Sequence, residues 1–170
     1  DVVAYLRNGN VLVHVEEEEQ LRIFDALKQQ TIQILDEPME WQQAIHKASE
    51  PLLHRAIIKK SYVQAMIDLL YDYGPYIVLA NGVAIAHANP EQGANALGLS
   101  LLINKQSITF EDDANVHFLF VLSNPDQDKH LHLLRDIMCL ANDTALVDQL
   151  LKMEDTLAIL EGLKKLSNMQ

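Results

Sequence analysis

"ALGLSLLINKQSITFEDDANVHFLFVLS", residues 96–123, holds two nearly continuous apolar runs, 96–103 and 116–123. A strand with one wet face alternates with period two, so unbroken apolar runs of this length predict strands covered on both faces. Upstream, "YIVLA" (76–80) and "TIQIL" (31–35) also read as strands, and "NVLVHV" (10–15) alternates weakly, with His14 an ordinary strand residue. Around this block the apolar period changes. "EEEEQLRIFDALKQQ" (16–30) predicts a helix with Leu21, Phe24 and Leu27 or Ile23 on one face and Glu16–Glu19 as its acidic first turn. Asp36 followed by Pro38 predicts a capped helix start, and Trp41, Ala44, Ile45, Ala48 and Leu52 supply its apolar stripe. Pro51 is expected to kink or break that helix. Ser61 is expected to cap "YVQAMIDLLYDY" (62–73), which Gly74-Pro75 ends. From Asp126 onward the pattern is helical through Leu131, Leu134, Ile137, Met138 and Leu140, and two further helices follow at 144–152 and 156–166. The fold class is α/β: a single mixed sheet of about five strands with helices on both faces.

The bulk properties narrow the function. A chain of 170 residues, 49% hydrophobic and 22% charged, fits one globular domain. Its apolar runs are too short for a membrane helix, and "DVVAYLRNGN" lacks the basic start and apolar centre of a signal peptide, so a cytoplasmic setting is expected. A single cysteine, Cys139, excludes an internal disulfide and any CxxC site; it is expected to be a buried helix residue. The net charge of −11 argues against nucleic-acid binding by this domain. The first residue is Asp1 rather than Met, compatible with a fragment of a longer polypeptide or a trimmed product.

His87 carries the chemistry. It ends an apolar run and precedes the Pro- and Gly-punctuated loop "ANPEQGA" (88–94). A neutral imidazole is nucleophilic near pH 7 and can carry a phosphoryl group on nitrogen. That task needs an exposed ring, small neighbours such as Ala86 and Ala88, and nearby donors such as the loop N–H groups. Ala84, Ala86, Ala88, Ala94 and Ala96 are expected to keep side chains short around a shallow interface at the histidine, while Val83 and Ile85 fit the core equally well. His130 and His132 lie near a helix start, a natural anion site, and being two apart they point in different directions, so at most one is expected to reach His87. His46 and His54 read as surface residues and His117 as structural.

Taken together, "WQQAI", "SYVQAMIDLL", "GPYIVLANGVAIAHANPEQGANALGLSLL", "VHFLFVLSNPDQDKHLHLL" and a helical tail stand in the order found in a known family. Over residues 31 to 166 the chain resembles the EIIA domains of the bacterial phosphoenolpyruvate-dependent sugar phosphotransferase system, mannitol/fructose/ascorbate type, with "GPYIVLA" and "NPEQGA" nearest the ascorbate branch. The resemblance makes 31–170 the phosphocarrier domain and 1–30 a lead-in outside the family pattern. It implies that His87, at the end of the Gly-Val-Ala-Ile-Ala-His version of the family's motif, is the phosphorylated residue. It implies that His130, at the head of the "HLHLL" helix, is the supporting one, with His132 the second choice. Three positions depart from the pattern: Ala86 replaces the usual proline, Asn89 a frequent basic residue, and Leu69 an arginine of mannitol-type members. Asn89 remains a candidate site residue, but the three changes leave less positive charge for a phosphoryl group.

The resemblance implies a carrier that accepts phosphate from the histidine phosphocarrier protein and passes it to a cysteine of an EIIB domain, with no metal, nucleotide or other cofactor. A second reading is an EIIA-like regulatory domain of a multidomain transcription regulator or antiterminator, with further domains upstream. A third is a metal site built from His87, His130 and His132, which the H-x-H spacing permits but no acidic ligand supports.

Overall fold

Leu99, Leu101 and Ile103 of the central strand join one apolar cluster while Leu102 joins another, so the sheet is buried on both faces. The computed structural model describes residues 22–73, 78–110, 115–126 and 131–168. Its elements are α1 (Ile23–Ala26), β1 (Leu27–Leu35), β2 (Met39–Glu40), α2 (Trp41–His54), α3 (Lys60–Tyr73), β3 (Val83–Ala86), β4 (Gly98–Thr109), β5 (Asn115–Ser123), α4 (Leu131–Asn142), α5 (Thr144–Leu151) and α6 (Thr156–Asn168). The five strands form one mixed sheet in the order β1-β4-β5-β3, with β2 also paired to β4. Only the β4–β5 pair is antiparallel. Helices α2 and α3 cover one face over Leu102, Leu119 and Val121. Helices α1, α4, α5 and α6 cover the other over Leu99, Leu101, Phe118 and Phe120. The expected class and strand number are therefore the observed ones.

Several element boundaries differ from the sequence reading. The helix expected over 16–30 survives, among the described residues, only as the four residues of α1. Leu27 instead opens a strand that runs parallel to β4, with a bulge before Ile32. Long-range pairing has overridden a helical pattern, and the buried Thr31 hydroxyl bridges the irregularity to Lys28 O and Leu99 O. Asp36 does not cap α2, which starts five residues later with Glu40 as its N-cap. Met39 and Glu40 are taken up by pairing with Ile108 and Thr109, and Asn104 bonds both the N–H and the carbonyl of Glu37. Ser61 lies inside the first turn of α3, and its hydroxyl donates to Gln92 O instead of capping.

Pro51 neither ends nor breaks α2, which continues to His54. Proline removes the N–H that would bond the carbonyl four residues back, at Lys47. Gln33 Nε2 of β1 donates to that carbonyl at 2.7 Å and replaces the missing donor. The described end of "YIVLA" is not a strand of the sheet. Asn81 and Gly82 take positive φ and turn the chain back, so that Leu79 N–H donates to Val83 O and Val78 bridges Ala84. Asn81 Nδ2 also donates to Ala141 O at 2.7 Å and pins the end of α4. Cys139 is partly buried on α4. The strand expected at 10–15, the Glu16–Glu19 turn and the Gly74-Pro75 stop lie outside the described residues.

The described part of the lead-in packs onto the sheet through Ile23, Ala26 and Leu27. Arg22 forms a two-pronged ion pair with the fully buried Asp136 of α4, Nε to Oδ2 at 2.9 Å and Nη2 to Oδ1 at 2.7 Å. Hydrogen bonding to Asp136, followed by its charge, raises the guanidinium pKa above the usual value, against desolvation. Among the described residues no helix is long and apolar enough to cross a membrane.

Candidate functional site

The site begins with strand alternation. Along β3, Val83 and Ile85 face the cluster under α4, and Ala84 and Ala86 face the one under α2 and α3. Continuing that alternation turns His87 to the α4 side and Ala88 to the α3 side. Ala88 does join the α3 cluster, and His87 is exposed just past the strand's carboxyl end. Because β3 runs parallel to β5, with Ala86 opposite Val121, the chain leaving β5 toward α4 departs at the same end of the sheet.

The loop after His87 is held by the start of α3. Tyr62 Oη accepts from Ala88 N–H at 3.0 Å and donates to Leu122 O at 2.7 Å. Ser61 Oγ donates to Gln92 O at 2.6 Å, and Lys59 N–H to Gly93 O at 2.9 Å. Within the loop, Asn89 Oδ1 accepts from Glu91 N–H at 3.0 Å, capping a 3-10 turn over Pro90–Gln92. Gly93 closes the turn at φ 135°, where a Cβ would lie 2.9 Å from Ser61 Oγ. Gly93→Ala is expected to cost about 1–3 kcal/mol of stability, since side-chain residues are strained in that conformation. Urea unfolding checks this; an unchanged midpoint would contradict the tight packing of loop on helix.

An open hollow of about 540 Å³ lies between this loop and α3, bordered by Gln64, Asp68, Leu69 and Asp72 on the helix and by Ala88 and Asn89 on the loop. Its described lining holds two aspartates and no cationic side chain. Leu69, one of the three departures read from the sequence, is among those walls, together with Ala88 and Asn89 of the loop.

The structure corrects the expectation for the small residues. Ala84 is 0%, Ala86 1% and Ala88 8% exposed. All three are core residues, because alternation turns them under α2 and α3, and they do not form the docking face around His87. Ala88→Glu is therefore expected to destabilise by about 2 kcal/mol or more, the scale of burying an unpaired polar group. Equal denaturation midpoints for variant and parent would show that Ala88 is not buried.

His132 stands half-buried in the first turn of α4, between exposed Leu131 and buried Leu133. His130 lies outside the described residues. On β5, His117 Nδ1 sits 2.9 Å from Asn104 O of β4, a structural contact, and His46 and His54 are exposed on α2. Among the described residues no group of three His, Cys, Asp or Glu is placed to hold a metal. Tyr62 was not singled out from the sequence; the available signal was a tyrosine on the buried stripe of a helix, whose hydroxyl must find a partner.

The family described as "Phosphoenolpyruvate-dependent sugar phosphotransferase system, EIIA 2" matches residues 25–166. The chain belongs to this family. This EIIA domain is 33% identical over 132 residues to the mannitol-specific cryptic phosphotransferase enzyme IIA component of Escherichia coli, covering 77% of the domain's chain and 90% of the relative. It is 30% identical over 134 residues to the ascorbate-specific EIIA component of Salmonella choleraesuis, covering 76% and 87%. Its fold matches the solution structure of the cryptic mannitol enzyme IIA of E. coli with a TM-score of 0.75 at 30% identity, over 85% of this EIIA chain and 99% of the other. At 18% identity the fold is shared, with a TM-score of 0.69, by the mannitol enzyme IIA of E. coli solved in complex with phosphorylated enzyme IIB, over 82% and 99%.

Proposed function

We propose that this EIIA domain carries a phosphoryl group on His87, taking it from the histidine phosphocarrier protein and passing it to a cysteine of an EIIB domain. The observation that carries the reading is the exposed imidazole at the end of a buried strand, ahead of a loop braced by α3. One His87 nitrogen attacks phosphorus; the donor's N–P bond breaks, and the freed imidazole regains a proton. In the second step a thiolate of EIIB attacks the same phosphorus and His87 leaves. Phospho-imidazole is already activated, so alignment of donor and acceptor is the protein's main contribution. The complex known for the mannitol enzyme IIA supports EIIB as the acceptor. The carrier unit is proposed to be residues 31–170, with 1–30 as a lead-in.

His130 is proposed to hold the imidazole or bond the incoming phosphoryl group, with His132 and Asn89 in lesser roles. His130→Ala is expected to slow labelling by on the order of 10²-fold, the scale of one lost transition-state donor. His132→Ala should matter less, and a reversed order would move the supporting role two residues along.

The direct test incubates the chain with phosphoenolpyruvate, enzyme I and the phosphocarrier protein, then maps the modification by mass spectrometry. One acid-labile, base-stable phosphate on His87 is expected, discharged on adding EIIB. A label on another residue overturns the site. A label on His87 that EIIB never removes favours the regulatory reading, in which phosphate is a signal of sugar supply.

A further inference from the structure

We infer that Tyr62 is the positioning residue of the phosphoryl acceptor, setting the direction of the His87 imidazole by tying the adjacent backbone to the end of β5. The inference rests on the reading of His87 as the phosphorylated group. The Tyr62 ring is 1% exposed, deep in the cluster between α3 and the sheet. Packing alone would be served by phenylalanine. The hydroxyl instead accepts from Ala88 N–H at 3.0 Å and donates to Leu122 O at 2.7 Å, with Ala88 O at 3.3 Å. A phenol has one hydrogen, and the shorter distance assigns it to Leu122. One oxygen atom thus joins the residue after His87 to the strand that leads toward α4.

Other braces of the loop act farther away: Ser61 holds Gln92 and Lys59 holds Gly93. Tyr62 grips the position next to the histidine. Without its hydroxyl, a buried N–H and a buried carbonyl lose their partner, and the backbone at 88 can drift from 122. In-line transfer does not tolerate such drift, since a misplacement of about 1 Å can cost on the order of 10²-fold in rate. The surface offered to the donor protein stays the same, because the ring is not part of it.

The test compares wild type with Tyr62→Phe in steady-state phosphorylation by the phosphocarrier protein, at a temperature where both are fully folded. The expected result is a kcat lower by about 10- to 100-fold with KM for the donor unchanged. The Ala88 amide proton should move upfield and the His87 ring-nitrogen resonances should shift, which a purely structural role would not require. Tyr62→4-aminophenylalanine, which keeps the ring and a donor to Leu122, should regain part of the rate and stay severalfold below wild type. If Tyr62→Phe does not fold, the amino variant is compared with wild type. Its nitrogen accepts poorly from Ala88, so a severalfold loss in kcat at constant KM is expected. Wild-type kcat in either variant alongside a displaced Ala88 resonance overturns the inference, as does a loss that appears in KM alone. Failure of the underlying reading is separate: it would appear as wild-type protein labelled elsewhere than His87.

Discussion

Replacing His87 with alanine is expected to abolish phosphate incorporation while leaving the fold intact. His87 is exposed, and Tyr62, Ser61, Lys59 and Asn89 brace its loop through bonds to the backbone. Little stability should therefore be lost, within about 0.5 kcal/mol for a surface position. The loss of labelling should be complete, since without a nucleophilic nitrogen no phosphohistidine forms at this site. His132 is a poor substitute, half-buried in the first turn of α4. The measurement is incorporation from phosphoenolpyruvate through enzyme I and the phosphocarrier protein, with unfolding followed in parallel. Retained labelling in a folded variant would move the acceptor away from position 87. Labelling lost together with the fold would show that His87 supports the structure as well.

The largest stability effect is expected at Asp136. Its carboxylate is 0% exposed and accepts three hydrogen bonds, two from the Arg22 guanidinium and one from Ile23 N–H at 2.9 Å. Asp136→Ala leaves a partly buried cation and a buried backbone donor without their acceptor. Removing one partner of a buried pair costs about 3–5 kcal/mol. Asp136→Asn keeps an acceptor for Ile23 and should cost less. Urea unfolding of Asp136→Ala, Arg22→Ala and the double variant provides the check, and the double variant should be less destabilised than the two single costs added together. Additive costs, or a loss below about 1 kcal/mol for Asp136→Ala, would mean the pair does not anchor residues 22 and 23 to α4.

The sequence by itself determined the fold class, the two central strands, the apolar stripe of α2 and the candidate histidine. These features are local: unbroken apolar runs, helical spacing, and an imidazole before a Pro- and Gly-marked loop. Tertiary structure decided what depends on partners far along the chain. Leu27 fits a helix until β4 offers it a parallel neighbour. Pro51 reads as a helix breaker until Gln33 supplies the donor it lacks. Ala88 reads as a docking residue until α3 closes over it, and Tyr62 reads as packing until its hydroxyl meets Ala88 and Leu122, 26 and 60 residues away. Arg22 and Asp136 meet across 114 residues. Periodicity reports which way a side chain faces along its own element. Which distant groups meet it there, and so which buried donors and acceptors are satisfied, is settled only when the elements pack.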